Sequence, residues 1–294
     1  MTTVLKAREP VKRSDTERDN GSKHDSGWSK ILEKHSNLRE AQDAIMREAT
    51  RSEFSGFRGK RVYDFIEPVL DCVDRVRFGE QVFNVGDGPK WVCGPETLQL
   101  TADCLIYSIG SNYKFQFETA VTSVAPDCEI HVFDGTMNLT KRALPSLTPN
   151  IKFNNFNVVS DCNKENEMGF PSLCIQNILR SLGHERRHIT WFKIDCEGCE
   201  YTVMPRVLEH VMSIDEVFIE VHGLEPVKVN ALFKSFDDAG LFVFHKERNH
   251  WGCGGYTCVE FSLTTLHHSR KVFDALYHTS TLSLQNEISL RPPS

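Results

Sequence analysis

Three carboxylates and a histidine lie at the ends of two apolar segments late in the chain. Asp195 and Glu197 follow one apolar run, and Glu220 and His222 close the next. Glu220 and His222 share one face of an extended strand, because side chains alternate with a period of two. A histidine or a desolvated carboxylate can take the proton of a hydroxyl group during group transfer. We therefore predict a site that activates a hydroxyl acceptor, with Asp195, Glu197 and His222 as its catalytic floor if the two segments are neighbours.

The elements that must position these residues alternate regularly between strand and helix patterns. Buried-strand patterns occur at residues 104–110, 129–134, 151–159, 189–195 and 216–222, and two further strands follow at 241–245 and 256–263. A helical pattern follows the first, third, fourth and fifth strands, a short polar or helical segment follows the second, and no helical pattern fits between the last two strands. The alternation predicts an α/β fold, a Rossmann-like, doubly wound, mostly parallel seven-stranded sheet with a terminal antiparallel strand. The carboxyl ends of its parallel strands then form the ligand-binding edge.

A second group of residues on that edge predicts cofactor contacts. Gly110, Ser111 and Asn112 follow the first strand, where a residue without Cβ lets the backbone approach a ligand. Asp134 ends the second strand, where Rossmann-like folds place an acidic group for ribose hydroxyls, and Asp161 follows the third, towards the adenine. For both aspartates, a simple turn residue is the competing interpretation. The first turn lacks the G-x-G-x-x-G pattern that a dinucleotide needs, and S-adenosylmethionine, which has no phosphate, needs less of such a loop.

Several motifs within residues 89–263 resemble the FkbM-type methyltransferases, especially their eukaryotic methyltransferase-like relatives. The most specific is Lys193-Ile194-Asp195-Cys196-Glu197-Gly198-Cys199-Glu200, which matches the pattern K-I-D-x-E-G-x-E. The supporting motifs, in chain order, are Lys90-Trp91-Val92-Cys93, Leu105-Ile106-Tyr107-Ser108-Ile109-Gly110-Ser111-Asn112, Phe115-x-Phe117-Glu118, Phe133-Asp134-Gly135-Thr136, Ile219-Glu220-Val221-His222 and Cys258-Val259-Glu260-Phe261.

This resemblance implies a class I methyltransferase fold that uses S-adenosylmethionine for O-methylation, with a small-molecule or glycan hydroxyl as the expected acceptor. One departure concerns the loop after the first strand. FkbM-type sequences have an acidic residue before the first glycine and a second glycine in the loop, whereas this chain has Ser108 and no second glycine. The alternative is therefore a non-catalytic binding or scaffold protein with a degenerate cofactor loop. A nicotinamide-dependent oxidoreductase is disfavoured by the missing fingerprint.

The domain boundaries follow from composition and periodicity. Residues 1–36 are polar and predicted to be a disordered tail. Residues 37–88 are predicted to form a helical extension, with helices over 37–52 and 63–77. The methyltransferase-like domain is expected over 89–266, and the polar C-terminal tail, 267–294, receives no element.

Composition limits the partners and the location. A net charge of −6 and a pI near 6.1 argue against nucleic acid, which requires a basic surface. The sequence has no apolar run of transmembrane length, and its first residues lack the apolar core of a signal peptide, so a cytoplasmic protein is expected. The ten cysteines are accordingly expected to be mostly reduced thiols. The Cys196-x-x-Cys199 spacing suits redox chemistry or zinc, but no second such pair exists, and we expect no metal.

Overall fold

The structure, a computed structural model, describes residues 15–49, 62–79, 88–101, 103–164, 169–249, 253 and 257–289. Side chains in the terminal helices are described for residues 24–48 and 266–277. The helices are α1 (Asp15–Ala49), α2 (Gln116–Val124), α3 (Ile175–Leu182), α4 (Glu200–His210), α5 (Pro226–Asp238) and α6 (Leu266–Ser289). The strands are β1 (Arg75–Phe78), β2 (Lys90–Cys93), β3 (Leu105–Ile109), β4 (Glu129–Phe133), β5 (Ile151–Asn154), β6 (Asn157–Val159), β7 (Ser172–Cys174), β8 (Ile189–Ile194), β9 (Ile214–His222), β10 (Leu241–Arg248) and β11 (Cys258–Thr265).

Seven of the strands form one sheet in the order β10-β11-β9-β8-β3-β4-β5. The neighbours from β9 to β5 are parallel, and β11 runs antiparallel to both β9 and β10. This arrangement confirms the predicted Rossmann-like fold of the class I methyltransferase type. It also sets the ends of β8 and β9 side by side, because Ile194 pairs with Ile219.

Helices cover both faces of the sheet, so β3 and β8 are buried on both sides. Apolar side chains of α3, α4 and α5 join one core with the sheet, and those of α2 pack on the other face around Trp191 and Phe218. A smaller cluster on that second face includes Phe244 of β10 and Val272 of α6. Burial on both faces explains why the strands read as continuous apolar runs rather than as alternating ones.

The predicted third strand, 151–159, is divided into two. Residues Ile151–Asn154 enter the main sheet as β5, whereas β6 pairs in parallel with β7 in a separate two-stranded sheet. A turn separates them, since the backbone N–H of Phe156 donates to the carbonyl of Asn154 at 2.9 Å. The division brings the start of β6 against Gly135. A Cβ added at Gly135 would lie only 2.5 Å from the backbone nitrogen of Asn157.

The terminal segments differ most from expectation. The predicted disordered tail is wrong for residues 15–36, which belong to α1; residues 1–14 lie outside the described part of the chain. Trp28 and His35 are buried, the Trp28 ring packs 5.7 Å from that of Phe273 in α6, and His35 Nδ1 donates to the Val69 carbonyl at 2.9 Å. Most of the C-terminal segment without a predicted element is α6 itself.

A buried charge network fixes α6 to the sheet. His268 lies with Nε2 3.2 Å from Glu216 and Nδ1 3.7 Å from Asp215, both at the start of β9. Burial lowers the pKa of His268, but hydrogen bonds and charge from these two carboxylates outweigh it and raise that pKa to about 10. His268 is therefore a cation at neutral pH.

The predicted helix over 63–77 is also wrong. A single 3-10 turn covers Val62–Phe65, and the chain then extends into β1. Pro68 cannot donate a helical hydrogen bond, and the backbone N–H groups of Val69 and Leu70 instead donate to the carbonyl of Val243 in β10. The rest of the proposed extension, at 50–61 and 80–87, lies outside the described residues.

All ten cysteines are paired, which overturns the expectation of reduced thiols. The pairs are Cys72–Cys93, Cys104–Cys128, Cys162–Cys174, Cys196–Cys199 and Cys253–Cys258. Their Cα separations, 4.7 to 5.8 Å, are those of ordinary disulfides. The expectation failed because it rested on an assumed compartment, and spacing along the chain does not reveal which cysteines meet in space. Within the described ranges, no helix combines the length and apolar content needed to cross a membrane.

Candidate active site

A cavity of about 670 Å³ lies along the carboxyl ends of β3, β4, β8 and β9. The loops after β3 and β8 both line it, and further residues come from β6, β7 and the segment between β10 and β11. Its volume falls in the range of small-molecule and cofactor sites. Of the predicted site residues, Gly110, Ser111, Asn112, Asp134, Asp195, Glu197 and His222 line this cavity.

Gly110 is required by packing at the centre of this edge. It has φ of +80°, and a Cβ at this position would lie 1.7 Å from the carbonyl oxygen of Asp195. Any side chain would therefore push the loop after β3 away from the end of β8. The next turn continues in left-handed conformations at Asn112 and Tyr113, with φ of 43° and 63°. Gly110 thus allows the predicted cofactor loop after β3 to pack against the predicted catalytic loop after β8.

Asp134 organises that loop from the neighbouring strand. One carboxylate oxygen accepts from the backbone N–H of Ser111 at 3.0 Å, from its hydroxyl at 3.1 Å and from the N–H of Asn112 at 2.9 Å. The other accepts from the N–H and hydroxyl of Thr136 at 3.0 and 2.7 Å. Burial alone would raise the pKa of Asp134, but these hydrogen bonds lower it. Both oxygens are thus already engaged with protein donors.

Glu118 supplies a buried carboxylate close to the end of β3. It is 1% exposed and accepts from the Ser108 hydroxyl at 2.5 Å. Lys193 Nζ lies 3.8 Å from Glu118 and donates to the Gly110 carbonyl at 2.8 Å. Ser108 stands where FkbM-type sequences have an acidic residue, so this chain brings a carboxylate to the place from α2. In the sequence, the F-x-F-E motif that ends at Glu118 was the one signal that could have identified this carboxylate.

Asp161 is placed differently from the prediction. It does not line the cavity, and its carboxylate accepts from the backbone N–H of Asn163 at 2.9 Å, at a 3-10 turn. The residues of this segment that do reach the cavity are Asn157, Val158 and Val159 in β6. The contacts of Asp161 are therefore those of a turn residue, which was the competing interpretation.

His222 is the centre of the acidic end of the cavity. Its Nδ1 lies 2.9 Å from Glu200, and its Nε2 lies 3.4 Å from Glu197 and 3.9 Å from both Asp195 and Glu220. The predicted convergence of the two strand ends is thus present. Glu197 is the exposed member, with a side chain 87% accessible and φ of 56°.

Glu200 orients this histidine from beneath. It is completely buried and accepts hydrogen bonds from the backbone N–H groups of Cys196 at 3.1 Å and Gly198 at 3.3 Å. The same oxygen accepts the Nδ1–H of His222. As the first residue of α4, Glu200 is also a helix N-terminal carboxylate, which the helix dipole favours. It therefore fixes both the loop after β8 and the orientation of the His222 ring.

The two titrating groups of the site have strongly shifted pKa values. Burial, and then the charges of Asp195 and Glu260, raise the pKa of Glu220 to about 7. Burial lowers the pKa of His222, but the hydrogen bond to Glu200 and the surrounding carboxylates outweigh it and raise that pKa to about 9. At neutral pH, His222 is therefore protonated, whereas burial and the neighbouring carboxylates disfavour ionisation of Glu220.

Lys90 and the disulfides complete this end of the cavity. Lys90 is buried, pairs with Glu260 at 2.5 Å and raises the local positive charge beside Glu220. Cys253 lines the cavity with its sulfur 3.9 Å from Glu220. Because the cysteines of the C-x-x-C motif and of the 253–258 pair are in disulfides, they are not available as zinc thiolates. The positive charge among these carboxylates is supplied by Lys90 and His222.

Residues 23–264 match a family model described as a methyltransferase domain. The chain belongs to this methyltransferase family. The match begins within α1 and ends in β11, so it includes most of the N-terminal helix and almost all of the seven-stranded sheet. No curated protein matches the sequence.

Solved structures similar to this methyltransferase domain include two fibrillarins and a small-molecule enzyme. The Methanococcus jannaschii fibrillarin pre-rRNA processing protein shares 12% identity, with 71% of this chain and 85% of that chain covered and a TM-score of 0.37. Aeropyrum pernix fibrillarin in complex with S-adenosyl-L-methionine shares 11% identity, with 65% of this chain and 88% of that chain covered and a TM-score of 0.35. Burkholderia thailandensis 1,6-didemethyltoxoflavin-N1-methyltransferase shares 10% identity, with 58% of this chain and 76% of that chain covered and a TM-score of 0.31. Likeness at this level says nothing about the acceptor of this domain.

Proposed function

We propose that this protein is an S-adenosylmethionine-dependent O-methyltransferase of the FkbM-related eukaryotic branch, acting on a hydroxyl of a small molecule or glycan. The observation that carries the proposal is the position of Glu220, a buried carboxylate with a pKa near 7, in the same cavity as the Gly110 loop. A general base is most effective when its pKa lies near the working pH. A scaffold protein has no need of a carboxylate that is costly to ionise.

The residues present fit S-adenosylmethionine at the other end of the cavity. Gly110 leaves the backbone bare at the loop, while Phe133 and Val158 offer apolar surface for an adenine. Thr136 and Asn157 are polar residues beside them, suited to ribose hydroxyls. Asp134, predicted to contact the ribose, acts in this proposal by holding Ser111 and Asn112 in place. Bound S-adenosylmethionine supplies the electrophilic methyl group.

Glu220 is the base in this proposal, in place of His222. A histidine with a pKa near 9 already carries its proton at neutral pH and cannot take another. Glu220 in its ionised form would accept the proton of the acceptor hydroxyl, and S-adenosylmethionine, when bound, would supply the methyl group and leave as S-adenosylhomocysteine. His222 remains cationic, and its Nε2–H orients Glu220, 3.9 Å away, and the acceptor oxygen. Most of the rate then comes from aligning acceptor oxygen, methyl carbon and sulfur.

Asp195 and Glu197 are proposed to select the acceptor. Both line the cavity near His222, and carboxylates accept hydrogen bonds from the neighbouring hydroxyls of a polyol or sugar. Phe170, 48% exposed and also lining the cavity, offers an aromatic face for a sugar ring. The same carboxylates repel phosphate groups, which disfavours a nucleic-acid acceptor.

Two experiments test this proposal. Calorimetric titration with S-adenosylmethionine, S-adenosylhomocysteine and NAD separates a methyltransferase from a nicotinamide enzyme and from a scaffold that binds none of them. Methyl transfer from labelled S-adenosylmethionine to fractionated glycans and small molecules then identifies the acceptor. We expect label that resists mild base, as a methyl ether does. Label only in amines or carboxyl esters contradicts O-methylation of a hydroxyl, and binding of NAD alone contradicts the whole assignment.

A further inference from the structure

One surface turn outside the cavity carries a sequence that accepts a covalent modification. Asn138-Leu139-Thr140 has the form N-x-T without proline at the middle position, which is the acceptor pattern for N-linked glycosylation. The pattern N-x-S/T occurs at one other place, Asn20-Gly21-Ser22. Short patterns of this kind arise by chance, so the surroundings of each asparagine decide whether it is usable.

The geometry at Asn138 is that of an accessible Asx turn. Asn138, Leu139 and Thr140 are exposed, in the loop between β4 and β5. Asn138 Oδ1 accepts from the Thr140 hydroxyl at 2.7 Å, and from the backbone N–H groups of Thr140 and Lys141, each at 3.2 Å. These bonds engage the amide oxygen and turn the side chain back over its own triplet. The threonine that completes the pattern thus polarises the amide that is modified.

Asn20 offers a contrasting environment. It lies within α1, where the backbone is helical. A continuing helix directs the backbone N–H groups at the two following positions to carbonyls four residues earlier, so they are not available to an Asx turn. The two patterns therefore differ in local structure, and Asn138 is the one whose conformation suits modification.

The disulfides independently indicate the compartment in which such modification occurs. Five disulfides account for all ten cysteines. Disulfides persist in the oxidising secretory lumen and outside the cell, and they are rare in the reducing cytosol. N-linked glycans are added in that same lumen to surface loops of secreted proteins. The observation concerns other residues than the turn and does not depend on it.

We infer that Asn138 is an N-glycosylation site and that the protein folds in an oxidising, glycosylating compartment rather than in the cytoplasm. In the modification, Asn138 Nδ2 forms a bond to the anomeric carbon of an oligosaccharide carried on a lipid diphosphate. The bond from that carbon to the diphosphate oxygen breaks, the lipid diphosphate leaves, and the transferase takes one amide proton. The inference is independent of the acceptor proposed above.

The test uses the full chain recovered from eukaryotic cells that express it. Treatment with peptide-N-glycosidase should lower its mass and convert the modified asparagine to aspartate, which peptide mass spectrometry locates at position 138. Asn138→Gln and Thr140→Ala should both abolish the modification. Thr140→Ser is the matched control, because serine keeps the hydroxyl and the pattern. Alkylation of the denatured protein without reductant should label none of the cysteines, and prior reduction should expose all of them.

Each outcome decides a part of the inference. An unmodified position 138 overturns the glycosylation site, whether or not the thiols are protected. Carbohydrate on Asn20 alone overturns the argument from the Asx turn. Ten alkylated cysteines without reductant overturn the oxidising compartment. Because none of the altered residues lines the cavity, methyl transfer should be unchanged in every variant, so failure here is separable from failure of the proposed activity.

Discussion

Glu220→Gln should lower activity and raise stability together. Glutamine has nearly the same shape and can still accept the hydrogen bond that Asn249 Nδ2 donates at 2.9 Å. It removes the proposed base, which should lower kcat roughly 10²–10⁴-fold with cofactor affinity nearly unchanged. It also removes a buried charge. The pKa rise from 4.5 to about 7 corresponds to about 3 kcal/mol against the ionised form.

The sign of the stability effect follows from proton linkage. Between pH 4.5 and 7 the folded protein holds a proton on Glu220 that the unfolded chain has released. Stability therefore falls as pH rises through this interval, and above pH 7 the folded state bears the whole cost of the charge. The variant lacks that cost. At pH 8 it should be more stable than wild type by up to about 3 kcal/mol, and at pH 4 the two should be alike.

The assays are denaturant unfolding at pH 4 and pH 8 and methyl transfer to the acceptor fraction across pH. Wild-type kcat should rise through pH 7, and the variant should show no such limb. Glu209→Gln is the matched control, because Glu209 lies exposed on α4 and its replacement should change neither quantity measurably. If Glu220 were only a structural partner of Asn249, glutamine would preserve that hydrogen bond and the variant would keep its turnover, and that result would refute the reasoning.

Four further changes test other parts of the structure. His222→Gln should remove the alkaline limb near pH 9 from the rate profile while leaving cofactor affinity intact. Asp134→Ala should weaken S-adenosylhomocysteine binding about tenfold or more by calorimetry, since the loop loses charge-assisted hydrogen bonds; equal affinity contradicts this role. His268→Gln should cost about 3–5 kcal/mol of unfolding free energy at pH 6, and the difference should shrink between pH 6.5 and 10, because the raised pKa stabilises the folded state only while His268 is protonated. Cys253→Ser with Cys258→Ser should lower turnover more than cofactor affinity, because this disulfide borders the acceptor end; unchanged kinetics argue against that position.

The sheet was predictable because each of its seven strands carries a local signal. The apolar runs of β3, β8 and β9 have strand length, and helical spacing follows them, so fold class required only the order of patterns. The N-terminal helix carries helical spacing only from residue 37 onward, and its earlier part has no comparable signal. Its contacts are few and distant in sequence, such as Trp28 on Phe273 and Arg39 with Asp237 at 2.6 Å. A polar segment held by scattered long-range contacts reads locally as disorder.

The candidate site was predictable in position and less so in the role of each group. Strand ends located Asp195, Asp134 and His222 on one edge, because topology fixes where parallel strands finish. Their protonation and partners depend on burial and on residues far along the chain. Glu118 is ten residues from Ser108 along the chain, yet its role follows only from the packing of α2. Likewise, the charge on His222 follows from Glu200 beneath it.

Several disulfides lie in the loops at the strand ends, which sequence patterns describe poorly. Three of the five lie in segments that reach or adjoin the cavity: Cys162–Cys174 at the end of β7, Cys196–Cys199 after β8 and Cys253–Cys258 at the start of β11. Regular hydrogen bonding ends where the strands end, so loops that carry Glu197 or approach Glu220 have little of their own to hold them. A covalent link limits their alternatives in the unfolded chain and keeps them near the strands. In an oxidising compartment these links are stable, whereas in the cytosol the same loops would depend on thiols. The location inferred from the disulfides is thus also a condition for the acceptor end of the site to keep its shape.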